Sequence, residues 1–218
     1  MTKTNNCFSQ FPIEKTDFPI RGMIHIGAHY AQEYTDYINY GIKNIMFIEP
    51  LKDNYEKMMA RLAEEPRLDN TVALNMALGN TTGEIEMFVE TANQGMSSSI
   101  LEAGTHIIDY PSITFDTKEL VKIDKLDNIE FDRTKYNALN IDVQGYELEV
   151  LKGASETLEH IMFIVSEINV GEVYKGCSKL SEIDEYLKPF GFVRIFTHLY
   201  ENVGYGDAIY LKIDDKNG

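Results

Sequence analysis

Five polar residues each follow a short apolar segment of the chain, and their side chains are of types that bind hydroxyl groups or move protons. They are His29, Glu49, Asn75, Asp142 and Glu167. The apolar segments have the length and composition of buried strands. Because ligands of an open parallel sheet bind outside the carboxyl ends of its strands, we expect these five residues to lie at one site.

The turn after the first predicted strand favours a ligand that contains a ribose. Gly27 permits a sharp turn and close approach of a ligand to the backbone. Glu49 follows 22 positions later (49 − 27), where an acid suits the ribose hydroxyls. Residues 28–32 contain no glycine, whereas the pyrophosphate of a dinucleotide requires a second and a third. S-adenosylmethionine has ribose and adenine but no phosphate, so this turn suits it better than NAD.

The block around Asp142 points to an oxygen acceptor. Asp142 ends a predicted strand, and Gln144 with Gly145 forms a turn into the next predicted helix. Enzymes that methylate the exocyclic amines of bases commonly carry a proline-proline-aromatic turn here, and this chain does not. Asp142 also suits the alternative role of a helix N-cap.

A hydroxyl acceptor must lose a proton, and a general base typically contributes about 10²–10⁴-fold to such a step. The candidates are Asp142, Glu167 and His106, with His29 and His198 as further alternatives. Sequence distance selects none of them, and a lone histidine is more often structural than catalytic.

A metal site is the weaker interpretation of the polar residues at these strand ends. Asp142, Glu167 and Asn169 offer the oxygen ligands that Mg²⁺ prefers. Carboxylates are expected in such a site without any metal, and no tighter ligand spacing is present. We therefore predict no metal site.

Strand-like and helix-like segments alternate along the chain, which predicts an α/β fold with a mostly parallel sheet. The predicted strands are 23–26, 44–48, 71–77, 84–89, 136–141, 162–165, 192–197 and 208–213, and the predicted helices are 31–40, 53–63, 146–158 and 181–187. Residues 90–120 have little periodicity and predict a long loop or lid. An irregular leader, 1–22, precedes a single domain, 23–218.

Several of these segments together resemble the FkbM family of methyltransferases, from about Met23 to Ile213. The similar segments are His25-Ile26-Gly27-Ala28-His29, Phe47-Ile48-Glu49-Pro50, Asn75-Met76-Ala77-Leu78-Gly79, Ser97-Ser98-Ser99 and the block from Asp142 to Ala154. The resemblance implies a class I methyltransferase domain, with a Rossmann-like sheet of seven strands and an antiparallel last strand near 206–210.

The resemblance also implies a set of cofactor contacts. Gly27, Ala28 and His29 would wrap the methionine part of the cofactor, Glu49 would bind the ribose, Met76 and Ala77 would lie along the adenine, and Asp142 and Gln144 would face the sulfonium. We add His25, Glu33 and Ser98 as cofactor-binding residues. Many members of that family have another glycine in the turn where this chain has Ala31-Gln32-Glu33. Glu33 is interpreted either as a ligand of the methionine amino group or as a surface acid.

The resulting hypothesis is an S-adenosylmethionine-dependent O-methyltransferase that modifies a sugar, a glycan or a small metabolite and releases S-adenosylhomocysteine. A nicotinamide-dependent sugar-nucleotide oxidoreductase is one alternative, but it needs the missing glycines and a Tyr-x-x-x-Lys pair, and Tyr186 with Lys188 has the wrong spacing. A non-catalytic cofactor-binding module is another, and the acids Glu49 and Asp142 argue against it.

Composition narrows the partners. A net charge of −15 repels nucleic acid and anionic membrane surfaces. The two cysteines, Cys7 and Cys177, have no CxxC spacing, so we expect reduced thiols and a cytoplasmic location. Residues 1–10 lack the apolar stretch of a signal peptide, and no apolar segment is long enough to span a bilayer.

Overall fold

A seven-stranded sheet forms the centre of the computed structural model, which describes residues 18–65 and 70–213. The strands are β1 (Gly22–Ile26), β2 (Asn44–Ile48), β3 (Thr71–Leu74), β4 (Ala77–Leu78), β5 (Gly83–Val89), β6 (Thr117–Asp124), β7 (Ala138–Ile141), β8 (Phe163–Asn169), β9 (Phe192–Leu199) and β10 (Tyr205–Lys212). The helices are α1 (Tyr34–Asn39), α2 (Lys52–Glu64), α3 (His106–Asp109), α4 (Glu147–Lys152) and α5 (Leu180–Leu187).

The main sheet has the order β3-β2-β1-β7-β8-β10-β9. Strands β3, β2, β1, β7 and β8 pair in parallel, and β10 is antiparallel to both β8 and β9. The strand order reverses at β1, which lies between β2 and β7, and this is where an open α/β sheet binds its ligand. The predicted fold class is confirmed.

Both faces of the main sheet are covered by apolar side chains. Met23 and Phe47 belong to one buried cluster, and Ile24 and Leu139 belong to a second. Successive side chains of a strand point to opposite faces, so the continuous apolar sequence of β1 serves both clusters. Burial on both faces fixes β1 and β7 firmly, and the turns that follow them are therefore well positioned.

A second sheet corrects two of the sequence predictions. The segment 71–77, predicted as one strand, is divided into β3 of the main sheet and β4 of a three-stranded sheet with the order β4-β6-β5. Residues 117–124, whose beginning was assigned to the long loop, form β6 and pair antiparallel with β5. Only Val121 and Ile123 of β6 are buried, so its sequence is polar enough to look like a loop.

Other boundaries also differ. The helix predicted at 31–40 is confined to α1, because Ala31 has a positive φ of 53° and the helical conformation begins after it. The helix predicted at 146–158 ends after Lys152 and is followed by a separate 3₁₀ turn, Thr157–Glu159. Strand β8 extends to Asn169 because β10 pairs with it throughout, so Glu167 and Asn169 lie within the strand.

None of the helices in the described part of the chain has the length and apolar character that crossing a bilayer requires. Most of the predicted leader, together with Cys7, lies outside the described residues.

Candidate active site

A cavity of about 330 Å³ lies at the carboxyl ends of β2, β1, β7 and β8, within the usual size range of small-ligand sites. Its lining includes His25, Gly27, Ala28, His29, Glu33, Glu49, Met76, Ala77, Ser98, Asp142, Gln144 and Glu167. The structure therefore brings all eleven predicted cofactor-binding residues, and two of the three predicted catalytic ones, to one cavity.

Gly27 turns the chain at the end of β1. The N–H groups of Gly27 and Ala28 both donate to the Ile48 carbonyl, at 2.9 and 3.0 Å. Gly27 has a φ of +80°, and a Cβ there would lie 1.8 Å from the Asp142 carbonyl oxygen. Glycine is thus required mainly because the ends of β1 and β7 meet, a constraint that sequence reasoning attributed to ligand approach.

The turn after Gly27 is held by side chains. His29 and Ala31 both have positive φ, 47° and 53°, a conformation that is costly for residues with a Cβ. His29 Nε2 lies 2.9 Å from the Gln94 carbonyl oxygen, and His29 Nδ1 lies 2.8 Å from Gln32 Nε2. The imidazole is therefore committed to fixing the turn against the segment that contains Gln94.

Glu49 is buried at the end of β2 and braces the same turn. Its Oε2 accepts the His29 N–H at 2.8 Å, and its Oε1 accepts the Leu51 N–H at 3.0 Å. Burial raises the pKa of Glu49 to about 7. The Asn54 side chain also donates to this carboxylate. A carboxylate has about four lone-pair sites, so about one remains for a hydroxyl donor from the cavity.

His25 is neutral at neutral pH because burial lowers its pKa to about 4. Its Nδ1 lies 3.1 Å from the Tyr37 hydroxyl and 3.9 Å from Glu33 Oε2. Its Nε2 lies 3.3 Å from Asn140 Nδ2. This network places Glu33 at the cavity wall and makes His25 a packed support for it.

Asp142 and Glu167 are joined by the side chain of Gln144. Gln144 Nε2 donates to Asp142 Oδ1 at 2.6 Å and to Glu167 Oε2 at 2.9 Å. The Tyr174 hydroxyl donates to Gln144 Oε1 at 2.7 Å, which fixes the amide orientation. Burial and the nearby charge of Asp142 raise the pKa of Glu167 well above its ordinary value. Burial therefore favours the protonated form of Glu167, while Asp142 is exposed to the cavity.

Asp142 is not the N-cap of α4, since that position is Tyr146 and has no side-chain cap hydrogen bond; the turn before the helix is held by Glu147. Glu147 is fully buried, and its Oε1 accepts the N–H groups of Val143 at 3.2 Å and Gly145 at 2.9 Å. Burial raises the pKa of Glu147 to about 7. Glu147 was missed by sequence reasoning, because an acid in the first turn of a helix ordinarily indicates a surface position.

The serine segment, Ser97-Ser98-Ser99, is hydrogen-bonded to residues around the cavity and does not extend into solvent. Ser98 Oγ accepts the Glu90 N–H at 2.9 Å, and the Glu90 carboxylate accepts the Gly95 N–H at 3.0 Å and also the Asn93 N–H. Ser99 Oγ donates to the Gln144 carbonyl at 2.7 Å. The segment thus covers the site and is tied directly to the turn that carries Gln144.

A family model described as the methyltransferase FkbM domain matches residues 25–194. The chain belongs to the FkbM methyltransferase family. The matched region contains the Gly27 turn, Glu49, the serine segment and the Asp142 block, and thus most of the residues that line the cavity.

Two curated members are similar in sequence. The chain is 28% identical over 141 residues to a hexuronic acid methyltransferase of Haloferax volcanii, covering 63% of this chain and 52% of that protein. It is 28% identical over 136 residues to a 2-O-methyltransferase of Sinorhizobium fredii, covering 59% and 56%. The chain spans about half the length of these curated relatives.

A solved structure of an FkbM methyltransferase from Methylobacillus flagellatus has the same fold. The TM-score is 0.62 at 15% sequence identity, and the superposition covers 92% of this chain and 46% of that one. At this identity the likeness supports the fold alone.

Three predicted residues of this FkbM chain lie away from the cavity. His106 is buried against Tyr174, Phe115 and Tyr110 and is not among the lining residues, so it is not placed to act as the base. Burial lowers its pKa. Asn169 is buried at the end of β8, and His198 lies on β9; neither lines the cavity.

The metal alternative gains no support from this arrangement. Gln144 lies between Asp142 and Glu167, and Asn169 does not line the cavity. In the described residues no group of three or more His, Cys, Asp or Glu side chains is placed to hold a metal ion.

Two cavity residues were not singled out from the sequence. Tyr200 and Asp207 line the far side of the cavity, and the Tyr200 hydroxyl donates to Asp207 Oδ2 at 2.6 Å. Asp207 lies within β10, a position that pairing patterns alone do not distinguish from a solvent-facing acid. A polar residue inside an otherwise apolar closing strand was the available signal.

Proposed function

We propose that this chain is an S-adenosylmethionine-dependent methyltransferase that transfers a methyl group to a hydroxyl of a sugar, a glycan or a small metabolite. One observation carries the proposal. A single cavity joins the Gly27 turn and Glu49 at one end to Asp142 and Glu167 beyond the switch point of the sheet. The names of the two curated relatives support a hydroxyl acceptor.

The residues at the β1–β2 end fit this cofactor. Glu49 has remaining hydrogen-bonding capacity for a ribose hydroxyl, and the apolar side chains of Met76 and Ala77 offer a surface for adenine. The Gly27–His29 backbone and Glu33 offer partners for the methionine carboxylate and amino groups. The cofactor supplies an activated methyl group on its sulfonium, so the protein's main tasks are alignment and proton removal.

Asp142 is the base that we propose. It is exposed to the cavity, its carboxylate is oriented by Gln144, and burial favours the protonated form of the neighbouring Glu167. An acceptor hydroxyl bound beside Asp142 would transfer its proton to the carboxylate as the oxygen attacks the methyl group. His29 is excluded from this role because both of its ring nitrogens already have partners: Nδ1 lies within hydrogen-bonding distance of the Gln32 side chain, and Nε2 lies within that distance of the Gln94 carbonyl oxygen.

Charge and composition support the proposed partners. None of the described residues that line the cavity is Lys or Arg, and the whole chain carries a net charge of −15. A phosphate-rich nucleic acid is therefore a poor acceptor, and we propose a small molecule or glycan. The scarcity of cysteine supports a cytoplasmic location.

A thermal-shift comparison tests the cofactor. We expect S-adenosylmethionine and S-adenosylhomocysteine to raise the melting temperature and NAD to have no effect, because a ligand stabilises the state that binds it. Stabilisation by NAD alone would instead favour the oxidoreductase. A mass-spectrometric screen for methyl gain across hydroxyl acceptors then tests catalysis, and cofactor binding without any product would favour a non-catalytic module.

A further inference from the structure

The cavity extends past Glu167 to a pair of residues from the antiparallel end of the sheet. Asp207 of β10 is the register partner of Glu167 on β8 and of His198 on β9. The Tyr200 hydroxyl holds Asp207 Oδ2 at 2.6 Å, which leaves Oδ1 without a hydrogen bond from Tyr200. Both residues line the same cavity as Glu49.

This pair lies far from the end that suits the ribose. Glu49 ends β2, and four strand spacings separate β2 from β10 in the main sheet. At about 4.8 Å for each spacing, the two ends are roughly 19 Å apart. Asp142 directly follows β7 and Glu167 lies within β8, and both strands lie between β2 and β10. A methyl acceptor next to Asp142 therefore has its remaining groups near Asp207 and Tyr200.

The acceptor end is negatively charged. Asp142, Glu167 and Asp207 all line it, and none of the described residues that line the cavity is Lys or Arg. Burial raises the pKa of Asp207 to about 6, so Asp207 is mostly ionised at neutral pH. Burial and nearby carboxyl groups raise the pKa of Glu167 well above its ordinary value, so the groups that this end offers to a ligand are carboxyls and hydroxyls.

We infer that Asp207, positioned by Tyr200, determines acceptor specificity and selects a neutral or amino sugar over an acidic one. The inference rests on the proposed function. Hydroxyl and ammonium groups donate to a carboxylate, whereas a uronate or phosphate would meet Asp207 with no Lys or Arg among the described lining residues to pair with it. His198, whose charge acts on Asp207, does not line the cavity. Juxtaposed like charges are strongly unfavourable in a buried site. This acceptor class differs from the one named for the Haloferax volcanii relative.

Four acceptors of known charge test the inference. The full chain is incubated with S-adenosylmethionine and, separately, methyl glucoside, methyl glucosaminide, methyl glucuronide or glucose 6-phosphate, and methyl gain is measured by mass spectrometry. We expect product from the glucoside or the glucosaminide, with kcat/KM roughly 100-fold above that of either acid. Preferred methylation of an acid, or no product from the two non-acidic sugars, overturns the inference.

A variant that lacks the carboxylate charge at position 207 tests whether Asp207 is responsible for the selectivity. We expect Asp207→Asn to narrow the ratio of kcat/KM between the non-acidic and acidic sugars by about tenfold, mainly through KM. Glu201→Gln is the matched control, since Glu201 is exposed and does not line the cavity. It should leave the ratio unchanged. An unchanged ratio in Asp207→Asn contradicts the inference.

The proposed function is tested separately by calorimetric titration of S-adenosylhomocysteine. Binding to the parent chain and to both variants with equal affinity shows that the cofactor end is intact and that each variant is folded. Loss of cofactor binding in the parent defeats the proposed function itself. Retained binding with selectivity for an acidic sugar defeats only the inference about Asp207.

Discussion

The acids of the cavity differ in their hydrogen-bond partners, and the partners decide what each acid can do. Glu49 accepts two backbone N–H groups of its own turns, whereas Asp142 and Glu167 meet through the amide of Gln144. Glu49 is thus part of the wall that holds a ligand. Asp142 is exposed to the cavity and is the acid that we propose as the base.

Replacement of Glu49 tests its binding role. We expect Glu49→Ala to weaken the affinity for S-adenosylhomocysteine by about 10- to 100-fold, because hydrogen bonds to a charged group contribute about 1.5–3 kcal/mol. Isothermal titration calorimetry measures this loss. Glu56→Ala, which changes an exposed acid of α2, is the control and should bind like the parent. Unchanged affinity in Glu49→Ala would assign the acid to the turn alone.

Replacement of Asp142 tests its catalytic role. Asp142→Asn retains an oxygen that accepts from Gln144 but removes the basic carboxylate. We expect kcat to fall roughly 100-fold, in the range of general-base catalysis, with little change in cofactor affinity. Steady-state kinetics and calorimetry separate the two effects. Equal losses in turnover and affinity would make Asp142 a binding residue.

At the scale of elements, the turn between β1 and α1 stores backbone strain. Ala31 is buried with a φ of 53°, a conformation that glycine adopts freely. The left-handed conformation costs a residue with a Cβ about 1–2 kcal/mol.

The strain at Ala31 predicts that replacing this residue by glycine costs less stability than such a replacement usually does. In Ala31→Gly, relief of the strained φ offsets the lost methyl burial and the added chain entropy, so we expect the free energy of unfolding to stay within about 0.5 kcal/mol of the parent. Ala60→Gly, in an exposed position of α2, should lose about 1 kcal/mol. Urea denaturation compares them, and an equal loss in both would disprove the role of strain.

Helices and strands were predictable from the sequence where buried apolar residues recur at a regular spacing. The strands β1 and β2 and the helix α2 agree with the sequence prediction to within one residue at each end, because their apolar patterns are set by local geometry. Strand β6 does not follow from the sequence because only Val121 and Ile123, near its end, are buried and its first residues are mostly polar and exposed. Its partner β5 lies beyond a loop, so the pairing depends on contacts that no local pattern records.

The candidate site was predictable at the strand ends and not elsewhere. Residues after β1, β2 and β7 follow from the rule that parallel strands present their carboxyl ends together. Asp207 reaches the same cavity from an antiparallel strand, so that rule does not find it. Glu147 was equally hidden, since its burial depends on how α4 packs under the Asp142 turn.

At the scale of the whole molecule, buried carboxyls couple the fold to pH. Burial raises the pKa of Glu49 and Glu147 to about 7 and that of Asp207 to about 6, and it raises the pKa of Glu167 well above its ordinary value. In the unfolded chain these groups return to ordinary values near 4.5 for Glu and 3.8 for Asp. At pH values between the unfolded-state and the folded-state pKa values of these carboxyls, the folded state binds more protons than the unfolded state.

Folding stability must therefore fall as pH rises through this range, because the unfolded chain releases protons that the folded chain retains. Two histidines oppose the trend at lower pH. Burial lowers the pKa of His25 to about 4 and also lowers that of His106, so both disfavour the folded state once the unfolded histidines protonate below about pH 6.5. The carboxyl effect is thus least opposed between about pH 6.5 and pH 8.

We expect the free energy of unfolding to increase when the pH is lowered from about 8 to about 6.5 at constant ionic strength, measured by urea denaturation. Glu147→Gln should flatten this dependence. Its amide keeps an oxygen where Oε1 accepts two N–H groups, and its nitrogen replaces Oε2, which has no partner. Glu84→Gln, at an exposed position of β5, should leave the slope unchanged. A slope that Glu147→Gln does not alter would show that this carboxyl keeps the same protonation state in the folded and unfolded chain.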